Sequence, residues 1–211
     1  MTDDHNQQTD GQLGRTIARN TGYITLGQIL LKVFGFLFGV FVVRQLGDEQ
    51  YGRYSIVIAW VGLFSILLEL GVTQYVMREI ARSRERAGAL FWNLVGVRFS
   101  LALVGIVLLP LGAELIGYED DIVIGVGLYA LTFVLSAFVA PLESVLVAHE
   151  DFRSVTALTL LRQASWLTLG SIAMWARPDF LWLIGVGLLA MLPEAALLVW
   201  VTRRRHLIDW T

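Results

Sequence analysis

The run Phe180–Val201, FLWLIGVGLLAMLPEAALLVWV, is long and apolar enough to cross a membrane as one helix. At a rise of ~1.5 Å per residue it spans about 33 Å, close to the thickness of a bilayer's hydrocarbon core. Its single charged residue is Glu194, which lies in the second half of the run. A charge at that depth is costly unless it faces a protein interior or a water-filled cavity. The run therefore predicts a membrane helix with a polar side turned toward other helices.

Similar stretches recur along the whole chain. Hydrophobic residues make up 56% of the 211 and charged residues only 16%, so the composition is that of a membrane protein. We predict an all-α integral membrane fold with six transmembrane helices forming one bundle. The predicted spans are residues 23–43, 54–76, 89–109, 122–147, 155–176 and 180–201. Residues 1–22 are predicted to be a polar, acidic tail that could form an interfacial helix, and residues 203–211 a basic tail.

The distribution of arginine predicts the orientation of these spans. With a cytosolic N-terminus, ten arginines fall on the inner side: Arg15, Arg19, Arg78, Arg82, Arg84, Arg86, Arg153, Arg203, Arg204 and Arg205. Three fall on the outer side: Arg44, Arg53 and Arg177. The segment 112–121 has four acidic residues and no basic one, as suits an outer loop. Since cytosolic loops are enriched in arginine and lysine, both termini are predicted to be cytosolic in a multi-pass plasma membrane protein.

Each predicted span carries one ionisable residue in its interior. These residues are Lys32, Glu69, Arg98, Glu143, Arg162 and Glu194. Counted along the helices, most of them lie roughly 10–14 Å from the inner end, with Glu143 somewhat shallower. One interpretation is a set of internal ion pairs that fix helix register, and the other is a binding site for a polar ligand. Glu143 lies near Pro141 and could instead reach the cytosolic interface.

Several kinds of function lack their usual motifs. No glycine-rich loop with the lysine and hydroxyl of a nucleotide hydrolase occurs, and the predicted loops are too short for a catalytic domain. The histidines His5, His149 and His206 are scattered, and the chain has no cysteine. We therefore predict no enzyme, no metal site, no cofactor and no nucleic-acid partner.

A family resemblance lies in the first two spans. The segments Gln28–Lys32, Val42–Tyr54, Leu68–Thr73 and Val76–Ala81 contain Arg-x-Leu-Gly-x-x-x-Tyr-Gly, a following Leu-Gly and Arg-Glu-Ile-Ala. This pattern resembles the amino-terminal part of the polysaccharide transport family, the Wzx-like oligosaccharide flippases of the multidrug/oligosaccharidyl-lipid/polysaccharide exporter superfamily. Within it, Leu46-Gly47 is predicted to end the first helix and Tyr51-Gly52 to turn the chain into the second.

The resemblance implies a function and a set of partners. Members of the family have about twelve or more spans in two six-helix lobes, and this chain looks like the amino-terminal lobe. We expect it to supply half of a flippase for an anionic lipid-linked glycan in contact with membrane lipids, completed by a second six-span lobe or a second copy. Lys32, Arg98 and Arg162 would bind the phosphate headgroup. Glu69 and Glu194 would balance them or carry a coupling proton or Na⁺.

Three alternatives remain open at this point. Half of a multidrug exporter would have the same architecture, although a cavity for cationic drugs favours an acidic lining. A membrane enzyme acting on lipid-phosphate substrates would need an acid-base or metal cluster at one surface. A scaffold without transport activity would use the buried charges only to orient its helices.

Overall fold

The computed structural model describes the backbone of residues 3–69, 87–148 and 152–205, and the side chains within 28–66, 91–147 and 154–205. The chain forms two compact units, Met1–Gly39 and Val40–Thr211. The predictions for Arg78–Arg86 and for the end of the basic tail lie outside the described residues. So do the side chains on which an interfacial helix within residues 1–22 would depend.

The described part of the chain is helical. We number the helices α1 (Asp3–Glu69), α2 (Ala87–Ile116), α3 (Asp120–Ala130), α4 (Thr132–Ala148), α5 (Phe152–Ala176), α6 (Phe180–Ala190) and α7 (Leu192–Arg204). Four stretches of the described residues are long and apolar enough to cross a membrane: Gln28–Ile66, Phe91–Ile116, Asp120–Val147 and Phe180–Arg204. The membrane-length apolar helices are therefore confirmed, whereas the count of six spans stays a prediction. The polar residues Arg162 and Gln163 lie in the middle of α5, which is not among the four.

Gly47 divides α1 into two helical segments. Its φ of 72° and ψ of 175° lie outside the helical region, at a φ that favours glycine. The prediction that the first helix ends at Leu46-Gly47 is thus confirmed. The predicted turn at Tyr51-Gly52 is wrong, because both residues lie inside the second segment, which begins directly after Gly47. One residue at positive φ is enough to redirect the chain, and no further turn is needed.

The loop predicted at residues 112–121 is shorter in the structure. Helix α2 continues through Pro110 to Ile116, and only Gly117–Glu119 separate it from α3. Gly117, at a φ of 91°, donates its N–H to the carbonyl of Glu114. The glycine supplies the left-handed residue with which helices commonly end.

The helices of the Val40–Thr211 unit alternate in direction. Trp60 of α1 donates its indole N–H to the carbonyl of Leu109 in α2 at 3.1 Å, and Phe64, one turn later in α1, faces Gly105, one turn earlier in α2. The second segment of α1 is therefore antiparallel to α2. Contacts of Arg53 with Asp121 and of Phe64 with Phe133 show that it runs parallel to α3 and α4.

One end of this unit carries an ion-pair network, which we call the acidic end. Arg53 pairs with Glu49 at 2.9 Å, Glu119 at 2.8 Å and Asp121 at 2.9 Å. These contacts join the start of the second α1 segment to the turn before α3. At the opposite end α7 finishes in Arg203 and Arg204, with Arg204 stacked 5.0 Å from the centre of the Trp200 ring. Acidic residues therefore outnumber basic ones in the network at one end of the bundle, and α7 finishes in arginines at the other.

In two helices the regular α-helical hydrogen bonding is interrupted at one residue, which we call a break, at the same distance from the acidic end. Helices α3 and α6 each contain 11 residues, and each is followed by one turn residue, Leu131 and Met191, before the chain resumes as α4 and α7. The φ and ψ of both residues stay in the α-helical region, so each break is a local change of hydrogen bonding within a continuing helix. At the first break the Thr132 hydroxyl donates to the Tyr129 carbonyl at 2.6 Å. At the second, Pro193 lies in the first turn of α7 and removes one backbone donor.

The arginine-rich half of the bundle is filled by an apolar cluster. Its buried members are Phe91, Leu94, Val95, Val139, Leu142, Val145, Leu146, Leu158 and Leu198, from α2, α4, α5 and α7. Arg162 follows Leu158 by one turn, and Glu194 precedes Leu198 by one turn. Charged residues therefore lie directly beyond the cluster, toward the acidic end.

Candidate functional site

Three of the six predicted intramembrane charges meet in one group, which we call the charged triad. Arg162 Nη1 lies 3.1 Å from Glu194 Oε1 and 3.6 Å from Glu143 Oε1. The triad joins α5 to α7 and α4 at the edge of the apolar cluster. Glu143 therefore lies within ion-pair distance of Arg162, and the alternative that it reaches the cytosolic interface stays open.

The members of the triad differ strongly in exposure. The side chain of Glu194 is 0% exposed, that of Glu143 26% and that of Arg162 42%. Within the described residues, neither carboxylate oxygen of Glu194 accepts a hydrogen bond, so its contact with Arg162 is an ion pair by distance without hydrogen-bond alignment. A buried carboxylate with so little compensation is costly to keep ionised.

The ion pairs described for the triad are those of Arg162 with Glu143 and Glu194. Arg98 in α2 is 7% exposed, one turn beyond Leu94 of the apolar cluster. Lys32 is exposed and belongs to the Met1–Gly39 unit. Glu69 ends the described part of α1, and its side chain lies outside the described residues. A single layer of six charges therefore stays a prediction.

A cavity of about 520 Å³ opens beside the triad, on the side facing the acidic end. Its walls come from the second segment of α1 and from α3 to α6, and from the Met191 break. Arg162 supplies the only formal charge among the described residues that line it, since Glu143 and Glu194 do not line it. The polar lining residues are Tyr54, Ser65, Tyr129, Thr132, Ser136, Gln163 and Trp166. The cavity therefore offers one cation surrounded by hydroxyl, amide and aromatic groups.

Both helix breaks lie at this cavity. Tyr129, Thr132 and Phe133 line it at the first break, and Ala190 and Met191 at the second. The breaks therefore mark the same place in the bundle as the charged triad.

The sequence carries a signal for these breaks in the form of a repeat. Residues 124–130 read IGVGLYA and residues 184–190 read IGVGLLA, identical in six of seven positions and 60 residues apart. Each copy is followed directly by the turn residue, Leu131 or Met191. Packing differs between them, because a Cβ on Gly125 would meet Val57, Phe180 and Leu181 within 3.3 Å, whereas one on Gly185 would meet Leu128 at 3.7 Å. The repeat thus places two similar half-helices side by side.

The arrangement suits an anionic ligand with a polar body. A guanidinium presents several donors in a planar fork and binds phosphate oxygens in pairs. Hydroxyl groups and the Trp166 ring offer the hydrogen bonds and the stacking surface that a sugar needs. The described residues hold no group of three histidine, cysteine, aspartate or glutamate side chains placed to bind a metal ion.

Comparison with known proteins identifies a family. A sequence profile of the polysaccharide biosynthesis protein family matches residues 17–209. The match covers most of the chain and confirms the resemblance carried by the amino-terminal motifs. Neither the curated proteins nor the solved structures gave a significant match.

Proposed function

Because the chain belongs to the polysaccharide biosynthesis protein family, and membership of this family suggests a role in the transport of polysaccharide precursors, we propose that it moves an anionic lipid-linked oligosaccharide across the membrane. In this proposal it acts as a flippase in the plasma membrane, with both termini cytosolic. The proposal rests on the cavity, because Arg162 is the only charged residue among the described residues that line it.

Arg162 would bind the phosphate that links lipid to glycan. The tyrosines, Ser136 and Trp166 line the same cavity, so they would contact the first sugars. Arg98 is buried one turn beyond the apolar cluster, and its role as a second phosphate ligand, like that of Lys32, remains part of the proposal. Glu194 balances Arg162, as Glu69 would balance another cation, and either carboxylate could carry a coupling proton or Na⁺.

The chain would supply one half of the transporter. Alternating access requires one bundle to move against another around a site between them. The cavity of this bundle is open, and 42% of the Arg162 side chain is exposed. A second six-span lobe or a second copy of the chain would cover it, because a guanidinium facing lipid is costly.

The alternatives fit the cavity less well. A multidrug exporter for cations would place carboxylates in the lining, but here Arg162 lines the cavity and both carboxylates lie behind it. An enzyme acting on the same lipid phosphates would release a product, and a scaffold would bind no ligand. The experiment below separates these possibilities.

The test is binding of a labelled polyprenyl phosphosugar to the full chain in lipid nanodiscs. Loss of a charge-assisted hydrogen-bond partner costs roughly 1.5–3 kcal/mol, so Arg162→Ala should weaken binding roughly 10- to 100-fold. Arg177→Ala, an exposed arginine between α5 and α6, is the matched control and should bind like the wild type. Equal binding by both variants would overturn the proposal, and a released product would favour the enzyme.

Flipping in proteoliposomes tests the half-transporter proposal separately. We expect transport only where the chain dimerises or a second lobe is present. Transport by a strictly monomeric chain, established by cross-linking in the same vesicles, would contradict it.

A further inference from the structure

We infer that Trp166, held against Gly187, recognises the sugar next to the phosphate, so that Gly187 is a positioning residue for glycan recognition. The inference rests on the proposed function and deepens it by naming the part of the cavity wall that distinguishes a phosphosugar from a lipid phosphate without sugar.

The starting observation is a close contact between α5 and α6 at the cavity wall. A Cβ on Gly187 would lie 3.0 Å from Cζ3 of Trp166, with Cη2 at 3.6 Å and Cε3 at 3.8 Å. The first of these distances is shorter than ordinary van der Waals contact, so a side chain at position 187 would displace the indole. Both residues are half-buried and line the cavity. The glycine therefore determines how closely the ring packs on α6.

The first copy of the IGVGL repeat provides a comparison. Gly127 occupies the equivalent position, 60 residues earlier in the chain. A Cβ there would meet Pro110 at 3.5 Å, an ordinary contact, and Gly127 does not line the cavity. The close approach of an aromatic ring is therefore a feature of the cavity wall at Gly187, and the repeat by itself does not require it.

The same wall contains the cation of the site. Arg162 and Trp166 lie four residues apart on α5, so they face the same side of the helix, about 6 Å apart along its axis. Both line the cavity. In a lipid-linked glycan the phosphate and the first sugar are bonded to each other. A phosphate on Arg162 therefore brings the first sugar within reach of Trp166.

The ring and its surroundings suit a sugar better than a lipid tail. The C–H groups on one side of a pyranose form an apolar surface that packs on the face of an aromatic ring, while its hydroxyl groups need polar partners nearby. Ser136 and Gln163 line the same cavity and offer such partners, which a polyprenyl tail could not use. The two copies of the repeat differ only at Tyr129 and Leu189, and Tyr129 also lines the cavity. The first copy thus brings its own aromatic ring to the cavity, and the second packs against Trp166 through its glycine.

The test is binding of two probes to the full chain in lipid nanodiscs. One probe is a polyprenyl phosphosugar, and the other is a polyprenyl methyl phosphate, which has the same phosphodiester charge and no sugar. We expect the wild type to bind the phosphosugar more tightly. Trp166→Leu should weaken phosphosugar binding roughly 3- to 10-fold without weakening methyl phosphate binding, because only the sugar loses its stacking partner. Gly187→Ala should weaken phosphosugar binding in the same selective way and by no more than Trp166→Leu, because its Cβ displaces the ring.

A double variant shows whether Gly187 acts through the ring. The phenylalanine ring is shorter than the indole, so Gly187→Ala added to Trp166→Phe should cause no further loss of phosphosugar affinity. Gly127→Ala is the matched control, because it makes the same change at the equivalent position of the repeat, outside the cavity. It should bind both probes like the wild type.

The outcomes separate this inference from the proposed function. Equal losses for both probes in Trp166→Leu, or equal wild-type affinity for both probes, overturn the inference and leave the proposed function standing. A loss caused by Gly187→Ala that is undiminished on the Trp166→Phe background overturns it as well. If Gly187→Ala does not fold, Trp166→Leu and the double variant, in which the contact is relieved, still decide. Absence of wild-type binding to either probe overturns the proposed function and this inference with it.

Discussion

Arg162 Nη1 lies 3.1 Å from Oε1 of Glu194, whose side chain has no accessible surface. The pair links α5 to α7 one turn beyond the apolar cluster, and the third member, Glu143, adds α4. Three helices are therefore held together through the one charged side chain that also lines the cavity. A ligand that binds Arg162 acts on the contacts among those helices.

The first prediction concerns stability. Arg162→Met should lower the free energy of unfolding by about 2–3 kcal/mol, because it leaves the buried Glu194 carboxylate without its cation. The expected loss is smaller than for a fully buried ion pair, because Arg162 is partly exposed. Adding Glu194→Gln should recover at least half of the loss. Thermal unfolding in detergent measures both, with Arg177→Met as the control. If the double variant is no more stable than Arg162→Met, the pair does not determine stability.

The second prediction compares the two copies of the IGVGL repeat. Gly125→Ala should destabilise the protein by about 1–2 kcal/mol, since its Cβ would crowd Val57 at 3.0 Å and Phe180 at 3.2 Å. Gly185→Ala should be nearly neutral, because its nearest neighbour lies at 3.7 Å. The melting temperatures of the two variants in the same detergent make the comparison. Equal losses would show that the two half-helices are packed alike.

Helical rise and hydropathy were enough to predict part of the site. They placed Arg162 and Glu194 at the same depth, and the structure brings them into contact. They did not predict which charges pair, because pairing depends on how each helix is rotated about its axis. The helices are apolar on nearly all sides, so their sequences do not show which side faces the bundle. Glu143 illustrates the point, since its shallower position suggested the interface whereas its rotation turns it toward Arg162.

The fold shows the same division between local and non-local information. Gly47 was predictable because a positive φ is a property of one residue. The break at Leu131 has no proline and no glycine beside it, so single-residue propensities give no warning. Only the repeated heptapeptide preceding both breaks indicates it, and a repeat is visible only when distant segments are compared.

The third prediction concerns topology, and the absence of cysteine makes it simple to test. Asp120→Cys at the acidic end should react with an impermeant thiol reagent in intact cells, and Arg205→Cys should react only after permeabilisation. The reason is the excess of acidic residues in the ion-pair network at one end of the bundle and the arginines that finish α7 at the other. Ser83→Cys, in the segment between α1 and α2, should behave like Arg205→Cys. Labelling of Arg205→Cys alone in intact cells would reverse the proposed orientation.

The fourth prediction concerns the cavity itself. Ser136 lies on α4 among the lining residues, and Phe in its place would fill part of the 520 Å³. We expect Ser136→Phe to abolish binding of the polyprenyl phosphosugar and to leave the melting temperature unchanged within about 2 °C, because the added ring enters existing space rather than packed core. Ser100→Phe is the matched control, since Ser100 is exposed on α2 and does not line the cavity. Binding that survives Ser136→Phe but is lost in Arg162→Ala would place the ligand on a different face of Arg162.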